Sequence, residues 1–312
     1  MQQLDATAIA NRLDRRALIE ALDAAFRRPF TAPVRQQYPL PAAAGEPTGT
    51  LLVMPAWRDG GSLGVKIVTV FADNSRRNLP AVQASYLLLD GASGRPRAIL
   101  DGSELTLRRT GAASALASSY LARTDASRLL MVGCGNLATH LIESHRLVRP
   151  IREVRIWGRR ADRAEALAAR LATDGLRVTS TRELAAAVRW ADIVSCATLS
   201  QTPLVLGAWL KPGQHLDLVG SFRPAMCEVD DYAIARSDLY VDTRSGALHE
   251  AGEIHGAIER GVIEPTAILA ELSELPSGRF ARALDSSITL FKSVGSAIED
   301  LVAAELAFGS QT

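Results

Sequence analysis

The stretch LLMVGCGNLATH, residues 129–140, constrains the fold more than any other part of the chain. A short apolar run that reads as a buried strand passes directly into Gly133-x-Gly135-x-x-Ala138, and an amphipathic helix follows. The first glycine permits a tight turn, and the second lets a pyrophosphate approach the backbone. The small third residue lets the helix pack close to the strand, with its first amides facing the phosphates. A glycine triplet alone also occurs at plain strand-to-helix turns, so the flanks decide its meaning. Here RLLMVGCG, EVRIWGR, RVTS, ADIVSCAT, HLDLVGS and DLYVD read as short strands from residue 128 onward. Helical stretches such as RADRAEALAARLA separate several of them. That alternation predicts an α/β fold, a Rossmann-type doubly wound parallel sheet with a dinucleotide site at Gly133 and Gly135.

The end of the second strand, EVRIWGRRADRAE, offers Gly158, Arg159 and Arg160 where an NAD-specific site places an acid on the ribose hydroxyls. An arginine there suits a 2′-phosphate, because its planar fork binds phosphate oxygens in pairs. NADPH is therefore the expected cofactor, with NADH possible. The first hundred residues have another texture. DRRALIEALDAAF puts Leu18, Leu22, Ala25 and Phe26 on one helical stripe behind an Asp14 N-cap. Short strands then follow (VRQQYPL, GTLLVMPAW, LGVKIVTVF, ASYLLLD), and the helix SELTLRRTGAASALASSYLA leads out of this α+β region. The chain closes on SITLFKSVGSAIEDLVAAELAF, a strand, a glycine hinge and a helix.

Composition excludes several function classes. Lys+Arg 35 against Asp+Glu 34 gives no reason to expect nucleic acid or an anionic membrane as partner. No run approaches a membrane span, and the charged N-terminus does not read as a signal peptide, so a cytoplasmic protein is expected. Cys134, Cys196 and Cys227 are odd in number and lack CxxC spacing, which argues against a disulfide framework or zinc. His249 and His255 are too far apart to share a helix face as metal ligands, so HEAGEIH reads as a polar loop entering a helix and no metal is expected.

Charges also stand in apolar places. Lys66 in GVKIVTVF shares a face with Val68 and Val70, while Val65, Ile67 and Phe71 occupy the other. Two apolar faces predict a strand buried on both sides, where an ammonium needs a partner. Arg109 lies on a helical stripe with Leu105, Ala112, Ala113 and Leu116, and Arg35 sits in APVRQQYPL. Three such cations can converge on a carboxylate ligand.

Together these residues resemble the ornithine cyclodeaminase/mu-crystallin family along nearly the whole chain. PVR at 33–35, MPAW at 54–57, GVKIVTVFADN at 64–74 and LRRTGAASALAS at 107–118 carry the likeness. GCGNLA, VRIWGR, SCATLSQTP and TLFKSVGSAIEDLVAA at 289–304 continue it. The resemblance implies a Rossmann domain, 113–291, inserted into an α+β substrate and dimerisation domain, 1–112 plus 292–312, in a homodimer. It implies that Arg35, Lys66 and Arg109 surround a substrate carboxylate, with Arg109 also near the cofactor. By the same likeness Asn136 and Leu137 contact the pyrophosphate, and Thr198, Leu199, Val219 and Ser221 line the nicotinamide side. Ser293 and Val294 close the site, and Arg159 and Arg160 meet the ribose phosphate.

One position departs from part of the family. Cyclodeaminases read Val-Gly-Gly-Asp-x-Pro where this chain reads Val219-Gly220-Ser221-Phe222-Arg223-Pro224, so Phe222 stands in place of the general acid/base. Mu-crystallin-like ketimine reductases also lack that Asp, and GSF-x-P-x-M-x-E is closest in texture to bacterial Δ1-pyrroline-2-carboxylate reductases. Reducing a ready-made cyclic ketimine needs hydride and positioning but no base there. The expectation is NAD(P)H-dependent reduction of Δ1-pyrroline-2-carboxylate, and of Δ1-piperideine-2-carboxylate, to L-proline and L-pipecolate. Lys66 would be the catalytic cation, holding the carboxylate or donating toward the imine nitrogen, and Phe222 an apolar wall or a core residue. Ornithine cyclodeamination, reductive amination of an open-chain keto acid, and non-catalytic ligand binding of the mu-crystallin kind stay open.

Overall fold

Alternating side chains on its strands give each of two sheets its buried face. The structure, a computed structural model, describes residues 1–41, 47–77 and 79–309. The chain divides into two units, Met1–Arg109 with Ser296–Thr312, and Thr110–Gly295. The first begins with β1 (Gln2–Leu4), α1 (Ala6–Arg12), α2 (Arg15–Phe26), β2 (Gln36–Pro41) and β3 (Pro47–Trp57). It continues with β4 (Ser62–Val70), β5 (Val82–Asp90), β6 (Pro96–Asp101) and the start of α3 (Gly102–Leu121). The second carries β7 (Arg128–Val132), α4 (Asn136–Val148), β8 (Glu153–Trp157), α5 (Ala161–Leu171), β9 (Arg177–Ser180), α6 (Leu184–Trp190) and β10 (Ile193–Cys196). After these come β11 (His215–Leu218), α7 (Asp231–Ala235), β12 (Asp238–Val241), α8 (Arg244–His249), α9 (Gly252–Glu259), β13 (Ile268–Glu271) and β14 (Thr289–Lys292). The helix α10 (Ala297–Phe308) returns the chain to the first unit.

In the first unit the six strands run β1-β6-β5-β4-β3-β2, antiparallel except for the β1–β6 pair. Helix α10 packs on β3, β4 and β5 and on α2. Helix α2 starts where the sequence predicts: Asp14 accepts from the Ala17 amide at 2.9 Å, and Leu18, Leu22, Ala25 and Phe26 are all buried. Strand β4 departs from expectation. Its Lys66, Val68 and Val70 face is buried, but Ile67 on the other face is 46% exposed. The outer face is apolar, and among the described residues no helix of the unit covers Ile67 on it.

In the second unit eight strands run β13-β12-β14-β11-β10-β7-β8-β9, all parallel. Leu130 and Val132 of β7 enter one core with Val194, Leu216 and Leu290, while Leu129 and Met131 enter another with Leu141 and Ile142. A sheet buried on both faces is the doubly wound arrangement. The order turns outward in both directions from the β10–β7 neighbours, which is where such sheets bind ligands at their carboxyl ends. HEAGEIH enters a helix as predicted, by a shorter loop than expected: His249 closes α8, Glu250 and Ala251 connect, and α9 begins at Gly252.

Candidate active site

The glycine turn after β7 has the shape a dinucleotide needs. Gly133 takes φ +120°, and a Cβ there would stand 2.5 Å from the Ala197 carbonyl oxygen. Gly135 is the exposed N-cap of α4, and its surroundings hold no atom within 4 Å of an added Cβ. Asn136 and Leu137 form the first turn of that 13-residue helix, whose amides point outward without a side-chain cap. At the end of β8, Arg159 and Arg160 are exposed, and Arg160 lies 3.7 Å from Asp162. No acid follows β8 before Asp162. This cradle fits the pyrophosphate and ribose of a nicotinamide dinucleotide.

The predicted cofactor residues Thr198, Leu199, Val219, Ser221 and Ser293, and Phe222 and Val294 of the predicted substrate site, lie at the carboxyl ends of neighbouring strands of the same sheet. Thr198 and Leu199 follow β10, Val219, Ser221 and Phe222 follow β11, and Ser293 and Val294 follow β14. Leu199 is 67% exposed, whereas Ser221 is buried and its hydroxyl donates to the Met226 carbonyl, holding the turn. Phe222 is half-buried against the core that contains Leu218 and Val294. Two acids tie these turns together: Asp242, which the sequence did not single out, and Glu228, which closes GSF-x-P-x-M-x-E but was given no role there. Asp242, after β12, accepts from the Val294 amide at 2.8 Å, from the Gly295 amide and from the Ser293 hydroxyl. Glu228 does the same for the turns after β10 and β11.

The predicted cations belong to the first unit, and two of them share buried carboxylates. Lys66 Nζ is 2.7 Å from Asp300 Oδ2, and Arg109 donates to Asp300 Oδ1 at 3.0 Å and to Glu299 Oε2 at 2.6 Å. Glu299 and Asp300 are 0% exposed in the first turn of α10, where acids complement the helix dipole. Tyr86, opposite Lys66 on β5, is buried too, and burial first and then Asp300 and Glu305 hold its hydroxyl protonated. Burial and the Arg109 charge lower the Lys66 pKa to about 8, against the opposing pull of Asp300, while half-buried Arg35 adds a smaller downward push. At neutral pH Lys66 is therefore a cation close to its titration point.

A second polar cluster has triad residues without triad geometry. Ser195 and His145 both bind the same Asp217 oxygen, at 2.7 and 3.1 Å, and all three are 0% exposed. The serine donates to the carboxylate rather than to the histidine, so it is no activated nucleophile. Among the described residues no group of three or more His, Cys, Asp or Glu side chains could hold a metal, and no helix is long and apolar enough to cross a membrane.

The model of the ornithine cyclodeaminase/mu-crystallin family matches residues 1–311. A Δ1-pyrroline-2-carboxylate reductase of Paracoccus denitrificans is 40% identical over 282 residues, 87% of this chain and 88% of that protein. The solved Thermococcus litoralis Δ1-pyrroline-2-carboxylate reductase, in complex with NADH and L-proline, is 32% identical with a TM-score of 0.93, over 99% of this chain and 96% of that one. An archaeal alanine dehydrogenase dimer with bound NAD is 29% identical with a TM-score of 0.91, over 99% and 95% of the two chains. A glycine cradle at the head of a doubly wound sheet, buried Lys66 and Arg109, and a family match along the whole chain converge: this protein belongs to the ornithine cyclodeaminase/mu-crystallin family.

Proposed function

We propose that the protein is a cytoplasmic NAD(P)H-dependent ketimine reductase that converts Δ1-pyrroline-2-carboxylate to L-proline and Δ1-piperideine-2-carboxylate to L-pipecolate. The observation that carries this reading is Phe222, an apolar ring at the turn where deamination needs a proton carrier. The relatives from Paracoccus and Thermococcus support the substrate class by their own activity. When bound, the nicotinamide supplies the hydride. Gly133, Gly135, Asn136 and Leu137 take its pyrophosphate, and Thr198, Leu199, Val219, Ser221 and Ser293 frame the nicotinamide end. Arg159 and Arg160, with no acid beside them before Asp162, favour NADPH while leaving NADH usable.

Arg35, Lys66 and Arg109 hold the substrate carboxylate, with Arg109 also reaching the cofactor. The Lys66 ammonium, close to its titration point, keeps the imine nitrogen protonated or hydrogen-bonded. Phe222 and Val294 give the ring an apolar, water-poor wall. The subunits pair through the outer face of the six-stranded sheet, where Leu63, Val65, Ile67, Leu87 and Ile99 stand side by side. Ile67 and Ile99 are 46% and 38% exposed in the single chain, and the archaeal alanine dehydrogenase is a dimer.

A second reading, reductive amination of an open-chain keto acid, draws on the likeness to that alanine dehydrogenase. NADPH and NADH consumption with each cyclic imine, and with pyruvate with and without ammonium, tests both. Turnover of the imines without ammonium is expected, and turnover only of pyruvate with ammonium would replace the reductase reading.

A further inference from the structure

Glu228 is fully buried, and its carboxylate is aimed at backbone rather than at solvent. Its Oε1 accepts from the Thr198 amide at 2.7 Å and the Thr198 hydroxyl at 2.8 Å, and its Oε2 accepts from the Gly220 amide at 2.8 Å. One side chain thus bridges the turns after β10 and β11. The approach is close: a Cβ on Gly220 would stand 2.1 Å from the Thr198 carbonyl and 2.4 Å from Glu228 Oε1. The Glu228 amide in turn donates to Glu253 Oε1 of α9 at 2.8 Å, and Glu253 Oε2 lies 3.4 Å from Lys292 Nζ. Lys292 ends β14 directly before Ser293, so the network reaches a third turn. Glu253 and Lys292 are buried as well.

We propose that Glu228 is a positioning residue that fixes the turns carrying Thr198, Leu199, Val219 and Ser221 in the shape that accepts the nicotinamide half of the cofactor, and that only its carboxylate form does so. The inference rests on the cofactor reading above. All three groups facing the carboxylate are set as donors. A protonated carboxyl presents its own O–H to one of them and loses an acceptor position, so the turns separate. The surroundings make that protonation accessible. Two acids and one ammonium, all buried, carry excess negative charge unless one acid takes up a proton. Burial raises the Glu228 carboxyl to about 7; Lys292 pulls it down, Glu253 pushes it up, and the Thr198 bonds pull it down. The neighbouring Cys196 thiol of β10 is held far above its ordinary range by burial first and Glu228 second, and stays neutral.

The test is NADH affinity of the full-length protein from about pH 6 to about pH 8.5, followed by the fluorescence of the bound nucleotide. NADH is the probe because it lacks the 2′-phosphate of NADPH, whose second ionisation falls near about pH 6. Wild-type affinity should weaken about tenfold as pH falls through the Glu228 midpoint, the worth of one charge-assisted hydrogen bond. Glu228→Gln should bind weakly at every pH, with the break gone. Glu253→Gln keeps an acceptor for the Glu228 amide but removes a negative neighbour, so its break should move to lower pH with alkaline affinity unchanged. If Glu228→Gln does not fold, the Glu253→Gln midpoint decides alone. A flat wild-type profile, Glu228→Gln binding like wild type, or an unmoved Glu253→Gln midpoint would each overturn the proposal. Failure of wild type to bind either NADH or NADPH at any pH would instead overturn the cofactor reading and this inference with it.

Discussion

Asp300→Asn separates the role of Lys66 as a cation from its role as packing. Asp300 is 0% exposed, 2.7 Å from Lys66 Nζ and 3.0 Å from Arg109 Nε. It is the carboxylate that holds the Lys66 pKa up to about 8 against burial and Arg109. The amide keeps the shape and loses the charge. An opposite charge at this range is worth about 1–3 pKa units, so Lys66 should titrate near about pH 6 in the variant. At pH 7 its ammonium fraction then falls from about nine-tenths to about one-tenth, and kcat/KM should fall about tenfold. The sign is definite: the ammonium exists below its pKa, so the alkaline limb of the pH profile moves to lower pH and activity is regained on acidification. Stability should drop by about 3 kcal/mol, since a buried charge pair has lost one member. The assay is kcat/KM for cyclic imine reduction across pH, with a thermal melt of each variant and Lys66→Arg as a control whose limb should vanish. An Asp300→Asn protein that melts cooperatively and keeps its alkaline limb near pH 8 would refute the assignment of that limb to Lys66.

Other outcomes follow from the same geometry. Gly133→Ala should abolish cofactor binding and cost about 1–3 kcal/mol in strain, because the residue sits at φ +120° against the Ala197 carbonyl; an unchanged melt and NADH affinity would contradict the cradle. The double variant Arg159→Ala, Arg160→Ala should raise KM for NADPH about tenfold or more and leave KM for NADH nearly unchanged; equal effects on both cofactors would remove the phosphate role. Ile67→Glu places a charge in the outer face of β4 and should give monomers by analytical ultracentrifugation where wild type gives dimers; a monomeric wild type would refute the pairing proposed for that sheet.

Features carried by local sequence were legible before the structure. The glycine turn, the Asp14 cap and the apolar stripe of α2 depend on residues within a few positions of one another. Lys66 and Arg109 stood out because charges in apolar surroundings demand partners, but the partners themselves did not. Asp300 is 234 positions from Lys66, and only the packing of α10 on β4 brings the two together. Glu228, Glu253 and Lys292 come together from a turn, a helix and a strand, and no spacing rule links them. Strand β13, Ile268–Glu271, is the outermost strand of its sheet and was not expected from its own short pattern; pairing with β12 supplies what that pattern lacks. The two apolar faces of β4 were read correctly as apolar and wrongly as both buried, since sequence does not reveal what covers a sheet.

Phe222 carries the central claim, and one paired measurement tests it most directly. The purified protein is given Δ1-pyrroline-2-carboxylate with NADPH, and separately L-ornithine with NAD+, while nucleotide turnover and ammonia are followed. The reductase account predicts rapid NADPH oxidation with stoichiometric L-proline in the first reaction and no ammonia in the second. Ammonia released from ornithine in step with proline, without net change in the nucleotide, would contradict it.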